Sequence, residues 1–218
     1  MDDTHTPFIN SILVALLVTV FSFLYVSLFD HVFNVASWSK IVAGTAGVLF
    51  ACSFSISTVE YYFDSFKVHM LYRKYLGLLG YFLALGYSLM LLLLVNPERY
   101  LYGFFDNVWS ADIILGLAAM TILTLIALVS NGTAMNLLGM DLWRNILRLG
   151  YLAYFLLALR ALLIEGPLWR EWLAGESTIL PPGRLVLFVI ALTVIITHYS
   201  TYLDKWRKRA TSEVPTRI

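Results

Sequence analysis

Long apolar runs alternate with short polar segments along the whole chain. Each run is about 20 residues long, the length that an α-helix needs to cross the hydrocarbon core of a membrane. The pattern predicts six transmembrane helices, at about residues 8–29, 41–62, 75–95, 110–130, 146–165 and 184–203. Because the connections are short, we expect residues 1–218 to form one all-α bundle of six spans that ends in a basic tail at 204–218.

Composition restricts the class of protein further. The chain is 60% hydrophobic and only 13% charged, which is typical of an integral membrane protein. The net charge of +1 gives no reason to expect a nucleic-acid partner. A single cysteine, Cys52, excludes a disulfide framework and a cysteine-rich metal site.

The distribution of Lys and Arg predicts the orientation of the bundle, because cytoplasmic loops carry the excess of these residues. Four of them fall on one side of the predicted spans: Lys40, Arg99, Arg170 and Arg184. Ten fall on the other: Lys67, Arg73, Lys74, Arg144, Arg148, Lys205, Arg207, Lys208, Arg209 and Arg217. We therefore expect both termini in the cytoplasm, with the protein in the bacterial inner membrane.

The predicted exterior loops at 96–109 and 166–183 are rich in aromatic and acidic residues. Trp and Tyr at such positions are typical of a membrane-interface belt. The alternative is a docking surface for an outer partner. The second loop ends in "PPG" at 181–183, which predicts a chain break immediately before the sixth span.

Polar residues also mark the cytoplasmic ends of two spans. Glu60 closes the second span, and Arg73 and Lys74 open the third. One interpretation is a salt bridge that fixes helix packing, and the other is a contact with a lipid head group or a quinone.

The four histidines give no metal site by spacing, since none of them are four residues apart on one helix. Only His69 and His198 fall near the same leaflet, so a bis-histidine haem there remains an alternative to satisfied or interfacial histidines. The sequence shows no phosphate-binding glycine loop, paired catalytic carboxylates or Ser/His/Asp arrangement, and we expect no enzymatic activity.

Two stretches carry a family resemblance: "RKYLGLLGYFLALGY" at 73–87 and "SNGTAMNLLGMDLWRNILRLGY" at 130–151. They resemble the ferric-reductase-like transmembrane domain, most closely the haem-binding membrane subunit of the methionine sulfoxide repair system (MsrQ, also called YedZ). The resemblance covers most of the chain and implies a six-span fold with cytoplasmic termini. In that family, electrons cross the membrane through haems held by histidines.

The resemblance places the family's haem-ligating histidines at three positions where this chain has other residues. These positions are Tyr87, Leu147 and Arg160. Leucine cannot ligate iron, arginine stays protonated, and only tyrosine, as a phenolate, offers a ligand for ferric haem. We therefore do not expect bound haem b.

Arg160 falls deep inside the fifth predicted span. At 1.5 Å per residue, Tyr87 lies about 18 Å and Arg160 about 21 Å from the cytoplasmic ends of their spans, so the two are at matching heights. A buried arginine needs a partner. The candidates are the Tyr87 hydroxyl, a carboxylate of Asp30, Asp112 or Glu165, or an anionic group on a bound lipid or cofactor.

Three functions remain open. The favoured one is a haem-free, non-catalytic accessory subunit of a larger energy-transducing membrane complex, respiratory or photosynthetic. The second is a cytochrome b-type electron-transfer subunit with unusual ligands, such as Tyr87, His69 or His198. The third is a binder of quinone, pigment or lipid in the vacated haem cavity.

Overall fold

The computed structural model describes residues 5–29, 33–62, 70–107, 109–175 and 180–212, and these residues contain helices and no strands. Six helices are long and apolar enough to cross a membrane, so the predicted six-helix membrane fold is confirmed. They are α1 (His5–Ser27), α2 (Val35–Tyr62), α3 (Met70–Met90), α5 (Ala111–Val129), α7 (Met140–Leu173) and α8 (Gly183–Ser212). Two short helices, α4 (Phe104–Asn107) and α6 (Gly132–Leu138), lie in the connections.

Two connections hold more helix than the pattern predicts. The segment after α3 continues through π-helical turns at Leu91–Val95 and Glu98–Tyr102. Helix α7 does not stop near residue 165; it continues through Pro167 to Leu173. The buried Trp169 packs on Phe188 of α8 with 5.2 Å between ring centroids, and this contact holds the extension against its neighbour.

Contacts between helix ends show that the six spans alternate in direction. At one end, the Asn10 amide donates to the Tyr72 hydroxyl (3.0 Å), joining the starts of α1 and α3. At the same end, Trp143 Nε1 donates to the Val129 carbonyl (2.9 Å), joining the start of α7 to the end of α5. We call this the near end.

At the opposite end, which we call the far end, the Tyr25 hydroxyl of α1 donates to the Pro181 carbonyl just before α8. The main-chain N–H of Leu185 donates to the Pro182 carbonyl (2.9 Å), so the first turn of α8 begins at the predicted break. The proline pair therefore sets both the start of α8 and its position beside α1.

Aromatic side chains of α2 and α7 pack together in the near half and middle of the bundle. Phe54 contacts Tyr151 and Tyr154 at ring-centroid distances of 5.0 and 5.6 Å. Gly150 permits this approach, because a Cβ atom there would lie 2.7 Å from Cε1 of Phe54. The aromatic core is completed by α8, which contributes Ala191 and Val194.

Helices α3 and α5 are joined by one side-chain hydrogen bond in the described structure, between the hydroxyls of Tyr81 and Thr124 (3.2 Å). The cavity described next lies between the same two helices, and its lining includes Ser88 of α3 and Thr121 of α5.

Candidate ligand-binding cavity

A cavity of about 690 Å³ lies in the far half of the bundle, between α2, α3, α5, α7 and α8. Its size falls within the range of about 300–1,000 Å³ that small-molecule sites occupy. Most of its wall is apolar, formed by side chains such as Ala43, Phe50, Ala84, Leu157 and Phe188. Such walls suit a ligand that is itself largely apolar.

The cavity reaches the lipid-facing surface of the bundle at the gap between α3 and α5. Its lining includes Leu117 and Leu125, which are 50% and 43% exposed, and the exposed Thr121. All three belong to α5. A ligand that moves in the bilayer can therefore reach the cavity without crossing a polar surface.

The hydroxyl groups of Ser88, Thr121 and Thr124 in the lining are already hydrogen-bonded to their own helices. Each donates to the carbonyl four residues earlier, at 2.8 or 2.9 Å. Because their protons are donated to the backbone, these hydroxyls do not need a ligand as a hydrogen-bond acceptor. The charged groups lie elsewhere, at the far end of the cavity: Asp112, Arg160 and Arg184.

Arg160 enters the cavity wall from α7 and lies against α5. Its Nε donates to the main-chain carbonyl of Asp112 (2.9 Å). Gly116 makes room for it, since a Cβ atom there would lie 3.1 Å from that Nε. In the described part of the chain, no carboxylate oxygen lies within 4.0 Å of its guanidinium nitrogens.

The carboxylates that the sequence proposes as partners of Arg160 are bound to other arginines. Both carboxylate oxygens of Asp112 accept from Arg99, at 3.0 and 3.1 Å. Glu165 pairs with Arg184 (2.9 Å). Asp30 lies outside the described residues. Asp112 is therefore a partner of Arg160 through its main-chain carbonyl and not through its carboxylate.

Two of the three positions at which the family resemblance predicts haem ligands, Tyr87 and Arg160, line the same cavity. Leu147, which is half-buried, does not line it. No histidine occurs among the described residues of the lining, and the Nε of Arg160 is committed to a carbonyl. This donor set does not fit a bis-histidine haem.

The polar residues at the near ends of α2 and α3 do not converge on one group. Glu60 forms no ion pair with Arg73 or Lys74 in the described structure. Helices α2 and α3 are instead joined there by the Ser53 hydroxyl, which donates to the main-chain carbonyl of Arg73 (2.7 Å). The predicted salt bridge therefore does not explain this interface.

The predicted histidine pair is only partly described, because His69 lies outside the described residues. His198 stacks on Tyr151, with ring centroids 3.7 Å apart and planes 15° apart. No group of three or more potential metal ligands occurs among the described residues.

The aromatic residues of the far-end connections divide into two classes. Tyr102, Phe105 and Trp109 are 79%, 87% and 84% exposed, which fits either an interface belt or a docking surface. Trp169 is only 4% exposed and belongs to the α7–α8 contact.

The sequence did not indicate the role of Gly116 or the Glu165–Arg184 pair, and it gave a cavity only as what the family resemblance implies. A lone glycine in an apolar span is ordinary, and nothing in "ILGLAAM" signals that an arginine from another helix lies on it. No protein-family model matches this chain, and no curated protein matches it either.

Proposed function

We propose that this protein is a non-catalytic, multi-pass membrane subunit that holds one lipid-soluble molecule in the cavity between α2, α3, α5, α7 and α8. The observation that carries the proposal is the cavity itself, which lies between five helices, has a mostly apolar wall and opens to the lipid-facing surface. Tyr87 and Arg160, the positions where the resembling family ligates haem, both line it. A ferric-reductase-like scaffold that has exchanged haem for another apolar ligand accounts for both facts.

The chemistry of the cavity suits binding better than catalysis. Its serine and threonine hydroxyls are hydrogen-bonded to their own helices, and Asp112 and Arg184 are in ion pairs. Quinone, pigment and lipid share the properties that such a site selects, an apolar body with a polar end.

The setting of the protein is the second element of the proposal. The sequence predicts ten basic residues on one side of the six spans and four on the other. On this basis we assign the near end to the cytoplasm of a bacterial inner membrane. The exposed Tyr102, Phe105 and Trp109 then lie at the outer interface. They are available to other integral subunits or an outer partner of an energy-transducing complex, which supports an accessory role.

The test compares two neighbouring residues of α3. Ser88 lines the cavity, whereas Leu89 is 49% exposed on the lipid-facing surface. Purified wild-type protein, washed to remove annular lipid, should retain about one small molecule per chain by mass spectrometry. Ser88→Phe fills the cavity and should lose that molecule, and the matched control Leu89→Phe should keep it.

If all three proteins retain the same bulk lipids in the same amounts, the cavity does not hold a specific ligand. The same purification in mild detergent reports the accessory role, which predicts that other membrane subunits elute with the wild-type chain at fixed stoichiometry. Elution as an isolated chain under those conditions counts against it.

A further inference from the structure

We infer that the ligand of the cavity is an anionic amphiphile, whose carboxylate or phosphate head binds Arg160 and whose apolar tail lies between α3 and α5. This inference rests on the proposed function and adds the chemical class of the ligand. It follows from the charges at the far end of the cavity, from the position of the guanidinium and from the direction in which the cavity opens.

Among the described residues that line the cavity, the charges do not cancel. Asp112 is paired with Arg99, and Arg184 is paired with Glu165. Within the described structure, Arg160 forms its hydrogen bond with a neutral carbonyl. The described cavity wall therefore carries one positive charge without a carboxylate to balance it.

An unbalanced charge in this location is costly. Arg160 is half-buried in a helix that spans the membrane, and its surroundings are mostly apolar. Intramembrane arginines pair with other groups or face cavities because burial of an isolated charge is unfavourable. A ligand with a negative head removes this cost, whereas a neutral quinone or carotenoid does not.

The geometry leaves the right donors for such a head. Nε of Arg160 is used by the Asp112 carbonyl, while the two terminal nitrogens have no acceptor among the described residues. Two parallel N–H groups on one guanidinium match the spacing of two oxygens on a carboxylate or phosphate. Gly116 fixes this orientation, because a larger residue would push the guanidinium out of place.

The cavity also offers an apolar space for the tail of the ligand, next to the site of the head. From Arg160 the cavity runs along α5 past Met120 to Leu125 and Leu128, and the side chains of both leucines are exposed on the lipid-facing surface. A hydrocarbon tail can therefore follow α5 and emerge among the lipid chains. The hydroxyls along this path are already bonded to their own helix and do not oppose an apolar tail.

The test uses the full-length protein in detergent and three fluorescent probes. They are a dansyl-labelled undecanoic acid, its uncharged methyl ester, and a labelled lysophosphatidic acid. The acid and the ester share one tail and differ only in head charge, and the third probe separates a phosphate head from a carboxylate head. We expect at least one of the two anionic probes to bind at least about tenfold more tightly than the ester.

Four variants locate the effect. Arg160→Gln should weaken binding of the preferred anionic probe at least about tenfold and leave the ester unchanged. Arg160→Lys should retain part of the affinity, since it keeps the charge but loses the paired donors. Gly116→Ala should weaken anion binding by displacing the guanidinium. Arg170→Gln is the matched control, because Arg170 is an exposed arginine on the same helix that does not line the cavity.

Each outcome has one meaning. If acid and ester bind wild type with equal affinity and Ser88→Phe abolishes both, the proposed cavity ligand stands and the anionic head is wrong. Equal losses in Arg160→Gln and Arg170→Gln would also overturn the role of Arg160. If none of the three probes binds and no small molecule is retained, the proposed function fails and this inference fails with it. Arg160→Lys and Gly116→Ala keep the inference testable if Arg160→Gln does not fold.

Discussion

Aromatic rings of α2 and α7 fill the near half of the bundle, whereas in the far half α3 and α5 stand apart around a cavity. Gly150 shows the close packing of the near half, since an added Cβ atom would lie 2.7 Å from Cε1 of Phe54. In the far half, Ser88 of α3 and Thr121 of α5 line a cavity of about 690 Å³. The interface of α2 with α7 is thus closely packed, whereas the space between α3 and α5 leaves room for another molecule.

Two polar groups differ in the same way. The Tyr151 hydroxyl donates to the main-chain carbonyl of Phe54 (3.2 Å), so this buried donor is satisfied within the protein. Arg160 keeps two terminal nitrogens without an acceptor among the described residues. A charged group inside a membrane span usually pairs with another group or faces a cavity. We therefore assign Tyr151 to helix packing and Arg160 to binding.

The largest difference in stability should separate Gly150→Ala from Gly86→Ala. The first forces a methyl group into the ring of Phe54, which Tyr151 and Tyr154 hold in place, and should destabilise the protein by about 1–3 kcal/mol. The second adds a methyl group to open space and replaces glycine by a better helix former, so it should be neutral or stabilising by up to about 1 kcal/mol. Equilibrium unfolding in mixed micelles measures both, and equal effects would contradict the comparison.

A smaller difference should separate Tyr151→Phe from Tyr81→Phe. The first removes a buried interhelical hydrogen bond and should cost about 0.5–1.5 kcal/mol in the free energy of unfolding. The second removes the α3–α5 contact but leaves Thr124 bonded to the Met120 carbonyl (2.8 Å), so the loss should be smaller. The unfolding assay decides the order, and a larger loss for Tyr81→Phe would show that this contact holds the cavity in shape.

The smallest effect is expected for Arg99→Gln. Arg99 binds Asp112, but its side chain is 49% exposed, and an exposed ion pair contributes little. We expect a change in the free energy of unfolding of less than about 0.5 kcal/mol. The control is Arg170→Gln, which removes an exposed arginine from the same end. A loss well above that of the control would mean that the Arg99–Asp112 pair supports the start of α5.

The features of the fold that could be predicted are those fixed by local sequence. Helix α8 begins at the "PPG" break because proline at the start of a helix needs no hydrogen-bond partner for its nitrogen. The same local logic fails at Pro167, where α7 continues because Trp169 is held against Phe188. The end of α7 thus depends on a contact with another helix, and it cannot be predicted from the sequence of α7 alone.

The candidate site was predicted only in part, because some of its features belong to single helices and others depend on how helices meet. The sequence alone placed Tyr87 and Arg160 at matching heights, because rise per residue is a property of one helix. It could not show that Asp112 would offer its carbonyl while its carboxylate binds Arg99, because that choice depends on how α5, α7 and the preceding turn meet.

By itself, the sequence determined six membrane spans and a charge in the fifth that needs an explanation, since length and polarity are read along the chain. Only the tertiary structure decided that α3 and α5 separate, that Gly116 receives Arg160 and that the nearby carboxylates are bound to other arginines. The physical reason is that a cavity and an unbalanced charge are properties of several helices together. Neither can be assigned before the distances between those helices are known.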